Sequence, residues 1–202
     1  MASTFDLDTY KCDPLPPKLW RVTHPSSQSW ESPFGDFLAA DFVRQFSDKE
    51  GFKEAVEKHF DWGNRDDSCF LSVFSSLSHA LRWAEQRAEK HGQYADVEEC
   101  CGGDARNCVY ISEIDTANLR VDTYVFDSAS LVIGLDIDDY EYSADELLFL
   151  HYIPFTAIMK TRSLASYPKE KRRSAKSSMS ITPPDLTALA TCLSQLRLQQ
   201  AS

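Results

Sequence analysis

Residues 145–154 read Asp145-Glu146-Leu147-Leu148-Phe149-Leu150-His151-Tyr152-Ile153-Pro154. The dense apolar run predicts a strand over Glu146 to Tyr152, and Pro154 separates it from a second strand over Ala157 to Lys160. A carboxylate at the mouth of so apolar a strand has two readings. Glu146 is either a solvated residue at the strand's edge or a partly desolvated acid held for chemistry.

Working upstream, Asp136 to Asp145 is an acidic turn region, and Leu131 to Leu135, Val121 to Phe126 and Val109 to Ile114 read as strands, the last by its alternation. Phe70 to Phe74 is a further strand. A helix follows from about Ser76, which suits an N-cap, with Ala80, Leu81, Ala84 and Ala88 along one face. Asp61 to Ser68 is polar loop. Asp41 to Phe60 reads as two short helices broken near Gly51, His24 to Asp36 as loop, and Leu19 to Thr23 as a short strand. Helices come mostly first and strands mostly later, which is an α+β layout.

Four segments result: an extended, proline-punctuated lead-in over 1–17, a domain over 18–162, a basic Ser-rich linker over 163–184, and an amphipathic helix over 185–199. That last helix carries Leu186, Leu189, Leu193 and Leu196 on one face. It either docks back on the domain or binds a partner.

The formal net charge is −10, yet the segment after residue 162 is basic, so the domain itself is the acidic part. Such a surface repels a phosphate backbone and argues against generic nucleic-acid binding. An anionic ligand here needs a local cationic anchor. Met1 to Pro17 carries no apolar run and no basic leader, and no stretch has the length of a membrane span. The expectation is an intracellular, cytoplasmic protein without membrane attachment. The run Lys169-Glu170-Lys171-Arg172-Arg173 is a solvated linker or a nuclear address. The six cysteines are then expected as reduced thiols, with Cys100, Cys101 and Cys108 in a Gly-Gly surface loop near His91. Adjacent cysteines make a poor zinc set, and no metal site is assigned.

Two further stretches stand out beside Glu146. In Leu19-Trp20-Arg21-Val22 an arginine interrupts an apolar strand, as an edge residue or a buried anion clamp. In Phe70-Leu71-Ser72-Val73-Phe74-Ser75-Ser76-Leu77-Ser78-His79-Ala80 a serine lies in the strand that leads into a helix, either capping it or orienting a reactive group.

Taken in order, these segments resemble the cholera-toxin-like, Arg-Ser-Glu class of ADP-ribosyltransferases. The likeness rests on an aromatic-Arg strand, a strand Ser followed by a Ser-Leu-x-x-Ala helix start, and a Glu followed by six residues and then Ile153-Pro154-Phe155-Thr156-Ala157-Ile158. Val109 to Leu119 resembles that family's central strand. The chain is also similar to an uncharacterised fungal, enterotoxin-like domain. The resemblance covers roughly residues 19–160 and implies a mostly antiparallel, split β-sheet core. It also implies NAD as co-substrate, with Glu146, Ser72 and Arg21 at the reacting end. Glu146 would stabilise the oxocarbenium-like ribose, Ser72 would hold Glu146, and Arg21 would bind a phosphate or brace the pocket. The Val22 backbone would grip the nicotinamide amide, with Phe74 or Trp30 against the ring.

Two departures bear on activity. The position two before Glu146, where arginine-modifying relatives carry a second acid, holds Ala144, and the Ser-Thr-Ser element reads Ser72-Val73-Phe74. Arginine is therefore disfavoured as acceptor, with Asp145 or Glu141 the nearby acids. Transfer to an unknown protein or small-molecule acceptor, NAD glycohydrolysis, and a catalytically inactive binding module all stay open. An RNA 2′-phosphotransferase shares the fold, but a lone arginine in an acidic domain speaks against it. An unrelated α+β interaction domain is the plain alternative.

Overall fold

The computed structural model describes residues 5–61, 63–92, 102–138 and 144–168. It is an α+β fold with three helices among the described residues, and every strand pairing there is antiparallel. The elements run β1 (Lys18–Thr23), β2 (Trp30–Glu31), β3 (Phe37–Leu38), α1 (Lys49–Phe60), β4 (Phe70–Phe74) and α2 (Leu77–His91). They continue with β5 (Tyr110–Asp115), β6 (Val125–Asp127), α3 (Ser128–Leu135), β7 (Glu146–Leu150), β8 (Tyr152–Ile153) and β9 (Ile158–Ser163). The main sheet has six strands in the order β6-β7-β4-β1-β5-β9, and β2-β3-β8 form a small second sheet. Helices are thus interleaved with strands rather than preceding them.

β7 lies between β6 and β4 and is buried along its whole length. Its even and odd residues feed opposite faces. Leu148 and Leu150 join Phe52, Phe70 and Phe126 under α1 and α3, while Leu147 and Phe149 join Leu19, Val73 and Ile153 beneath the small sheet. A third cluster packs Ala80, Leu81 and Ala84 of α2 on Val22 and Ile111. At His151 the backbone turns left-handed (φ 67°), and the chain passes from the main sheet into the small one. Two backbone bonds pin that joint: His151 N donates to the Cys69 carbonyl, and Ala39 N to the His151 carbonyl, at 2.8 and 2.7 Å.

Several expected elements differ. The segment before Phe60 forms one helix, not two. Asp48 caps it by accepting from Gly51 N at 2.8 Å, so the glycine sits inside the first turn rather than at a break. Leu131 to Leu135, read as a strand, lies in α3, because Asp127 accepts from both the Ser130 amide and hydroxyl at 2.7 Å and starts a helix there. The strand expected from Val121 begins only at Val125; residues 121–123 turn, and Val121 is exposed. The lead-in carries a 3-10 turn at Leu7–Tyr10, with Phe5, Leu7 and Tyr10 packed on the core. At the other end Leu164 is fully buried against the α2 cluster, so the packed body continues past residue 162. The remainder of the linker, the basic run and the 185–199 helix lie outside the described residues.

Cys108 is disulfide-bonded, which corrects the expectation of a reduced thiol; Cys12 and Cys69 are free. Gly102 and Gly103 both take positive φ (59° and 82°) and turn the chain just upstream, a path that cysteine spacing alone does not reveal.

Phe52 is the hub of the aromatic core, with ring centroids 5.1–6.1 Å from Phe5, Tyr10, Phe46, Phe70 and Phe126. Phe52→Ala is expected to lower unfolding free energy by about 3–5 kcal/mol, read from urea denaturation.

Candidate functional site

A cavity of about 530 Å³ opens beside β4, between α1, α2 and the loop that follows β1. Arg21, Val22, Ser72, Phe74 and Glu146 all line it. The residues singled out on three separate strands therefore meet in one place. Trp30 does not line it; it packs edge-to-face on Phe42 with ring centroids 5.8 Å apart, so Phe74 is the aromatic of the two at the site.

Register explains the convergence. Phe74 pairs with Glu146 and Ser72 with Leu148, so Ser72 and Glu146 are diagonal neighbours on one face, within hydrogen-bonding reach. Ser72 donates to the Glu146 carboxyl, while burial pushes that carboxyl's pKa up more strongly than the serine pulls it down. Glu146 is only 8% exposed, which decides for the desolvated reading of this residue.

Arg21 sits on an interior strand and is buried. The β1–β4 ladder registers only at Trp20↔Phe74. Two residues along β4, Arg21 Nη1 donates to the Ser72 carbonyl at 2.9 Å, and Nη2 donates to Ser29 Oγ. Its Nε is buried without an acceptor among the described residues. Burial lowers the guanidinium to about 10, which still leaves it charged at neutral pH. The arginine is a brace at the split between two strands and at the same time a buried cation.

Sequence reasoning missed His59. Its Nε2 lies 2.9 Å from Ser72 Oγ and its Nδ1 2.7 Å from Ser68 Oγ. Since Ser72 gives its proton to Glu146, the consistent polarity has Nε2–H donating to Ser72 and the Ser68 hydroxyl donating to Nδ1. A single neutral tautomer thus ties α1 to the carboxyl through a chain of three bonds. The spacing of Phe52, Val56 and Phe60 marks the buried face of α1, and His59 borders it; a polar residue there was the available signal.

α2 contributes a second overlooked set. His79, Trp83 and Arg87 recur every fourth residue and all reach the cavity. Arg87 lies over the Trp83 ring at 4.1 Å, and His79 stacks on Phe74 with centroids 4.5 Å apart. Lys58, Arg65 and Lys90 complete a cationic lining, opposed by Asp61, Asp66 and Glu146. The cations act on one another. His24 is driven down to about 4 by burial and then by Arg87, Arg21 and His91, and Arg87 is lowered by burial and Arg65. An acidic protein thus sets Arg21, Lys58, Arg65, Arg87 and Lys90 around one concavity, a local cationic set of the kind an anionic ligand requires.

His59 is likewise pushed down to about 4, by burial first and Arg21 second. The folded state refuses a proton that the unfolded chain accepts below its ordinary 6.5. This contribution is therefore complete above that value and is lost as pH falls toward 4; Glu146, shifted upward, works in the opposite sense. Stability at pH 5 is expected to be lower than at pH 7 by about 2 kcal/mol from His59 alone. Urea midpoints of wild type and His59→Gln at the two pH values check this, with the variant showing the shallower dependence.

The protein-family model described as Domain of unknown function (DUF7587) matches residues 14–167, and the chain belongs to that family. No curated protein matches its sequence. Among solved structures it is similar to EcPltA, at 14% identity over 73% of this chain and 75% of that chain, with a TM-score of 0.44. No helix among the described residues is long and apolar enough to cross a membrane.

Proposed function

We propose that this member of the DUF7587 family has an ADP-ribosyltransferase-like fold and cleaves the nicotinamide–ribose bond of NAD, passing the ADP-ribosyl group to an acceptor other than arginine. The observation that carries the reading is Glu146, a buried carboxyl held by Ser72 and, through Ser72, by His59, at a cavity that also presents Arg21, Lys58, Arg65, Arg87 and Lys90.

Each part answers a demand of the reaction. Departure of nicotinamide leaves an oxocarbenium-like ribose, and a fixed carboxylate beside it stabilises the developing positive charge. A dry, preorganised site makes that stabilisation strong, because no solvent has to reorganise at the moment of reaction. The diphosphate is anionic, and Arg21, Arg65, Arg87 and Lys90 supply charge for it. The cavity volume of about 530 Å³ is that of a small-molecule site. The orphan Nε of Arg21 offers one further donor, and Phe74 offers a ring face beside Glu146.

A second reading, an inactive binding module on the same fold, is favoured by one observation. Position 144, two residues before Glu146, is an exposed alanine and brings no acid to the site.

Purified protein is expected to release nicotinamide from NAD. Glu146→Gln should reduce that release by at least about 100-fold, a loss larger than any weakening of NAD binding, since the carboxylate acts chiefly in the transition state. Chromatographic measurement of nicotinamide, paired with calorimetry of NAD binding, checks both parts. NAD binding without release by wild type would favour the inactive module.

A further inference from the structure

An acceptor that carries a proton must lose it as its bond to ribose forms, and Glu146 is committed elsewhere, to Ser72 and to the ribose. Resting on the NAD-cleavage reading above, we propose that His79, oriented by Asp145, is the general base of this site and that its acceptor is a hydroxyl group or water.

The other bases at the cavity serve this role poorly. His59 uses both ring nitrogens in the Ser68 and Ser72 contacts. His24 stands among Arg21, Arg87 and His91. Asp61 and Asp66 come from the loop before β4, and the Phe70 end of that strand pairs with Leu150, the end of β7 remote from Glu146. Asp61 Oδ1 is also occupied by the Gly63 amide at 2.8 Å.

His79 lies at the correct end. Its ring is stacked on Phe74, the residue paired with Glu146, and its Nδ1 is 3.5 Å from Asp145 Oδ2, on the residue just before Glu146. Both members are fixed by backbone. Ser76 Oγ caps α2 by accepting from His79 N at 3.3 Å, and the Asp145 carbonyl accepts from Ser75 N at 2.8 Å and Ser75 Oγ at 3.3 Å. His79 lines the cavity, and the side chains of His79 and Asp145 are 18% and 44% exposed, so the pair has solvent to receive the proton. Burial, and after it Arg82 on the same helix, hold the imidazole below its ordinary value against the pull of Asp145, which favours the basic form; Glu146 is the titratable group that β7 brings to the cavity.

The step balances as follows. An oxygen lone pair of the acceptor forms a bond to the anomeric carbon of the nicotinamide ribose. The carbon–nitrogen bond breaks, its electron pair going to the ring nitrogen, which leaves as neutral nicotinamide. The acceptor proton passes to His79, and the resulting imidazolium is balanced by Asp145 before the proton is lost to water. A histidine can assist a hydroxyl in this way, whereas a guanidinium, which holds its proton throughout the ordinary pH range, calls for a far stronger base. The Asp145–His79 pair therefore specifies acceptor chemistry as well as rate.

The test uses the full chain with NAD and compares wild type, His79→Ala, His79→Asn and Glu146→Gln, each with water alone and with added azide. Azide is an anionic nucleophile with no proton to lose. Expected is a loss of about 100-fold or more in nicotinamide release for both His79 variants in water. NAD affinity should be unchanged by calorimetry, and azide should restore the rate to within about tenfold of wild type with formation of an azido product. Azide should not restore Glu146→Gln. The acid limb of the wild-type pH–rate profile should change in His79→Asn from a two-group dependence to a single-group one, the limb that Glu146 leaves. Wild-type rates in the His79 variants overturn the proposal, as does a defect that azide leaves untouched or that tracks weakened NAD binding. Absence of nicotinamide release from wild type, with or without azide, instead overturns the NAD reading itself, and this proposal with it.

Discussion

The site depends on a buried guanidinium at a place where two strands part. β1 and β4 are neighbours in the main sheet, yet their register is limited to Trp20↔Phe74, and Arg21 takes the Ser72 carbonyl two residues along β4. A backbone acceptor left unmatched inside a protein is costly, so a side-chain donor has to reach it. A long, always-charged residue meets that need and brings a cation to the same point. The parted strands make the concavity, and the residue that closes the hydrogen-bond deficit also electrifies it. Replacing Arg21 by an apolar residue would therefore lose geometry and field together, which is why no single contact energy describes what it does.

Much of this was readable from the chain, and the limits have physical causes. Phe70 to Phe74 and the helix after Ser76 are set by local chemistry, a short apolar run and an N-cap, and local chemistry is what a sequence displays. Arg21, Ser72 and Glu146 were singled out by the resemblance to the Arg-Ser-Glu class, since each alone also had a plain structural reading, and strand register is what brings them to one cavity. Leu131 to Leu135 was misread because a run of large aliphatics suits either period. The deciding group, the Asp127 cap, lies outside the run. His59 and the His79-Trp83-Arg87 row were missed for a different reason. Helical polar residues ordinarily face water, and only the packing of α1 and α2 against β4 turns these inward. The disulfide at Cys108 was hidden by the left-handed turn at Gly102 and Gly103.

Electrostatics gives the cavity its direction. The chain as a whole carries a formal charge of −10, so the cations around the cavity stand out against an opposing background. Close cations in low dielectric destabilise one another, and His24, lowered first by burial and then by Arg87, Arg21 and His91, is held to about 4. Under the proposed reading an anionic ligand relieves that repulsion, with the exposed cations, which salt screens more than the buried Arg21, acting on its approach.

Glu146 faces a conflict that its surroundings do not fully resolve. Burial favours the neutral acid, and the Ser72 bond favours the carboxylate but is outweighed. A reactive carboxylate must nonetheless be ionised when bond breaking begins. Under the proposed reading the missing charge comes with the substrate, because the nicotinamide ring of NAD is a cation. A positive ring set against Phe74 and Glu146 favours the ionised form, just as a neighbouring cation does for any acid. On that reading the substrate's positive ring acts with the Ser72 bond and against burial, moving Glu146 toward its ionised form. Departure of neutral nicotinamide moves the positive charge onto the ribose, so the carboxylate keeps a cationic partner throughout the step. The chain Ser68–His59–Ser72 holds the acid in place while its partner changes, and none of its members needs to change charge.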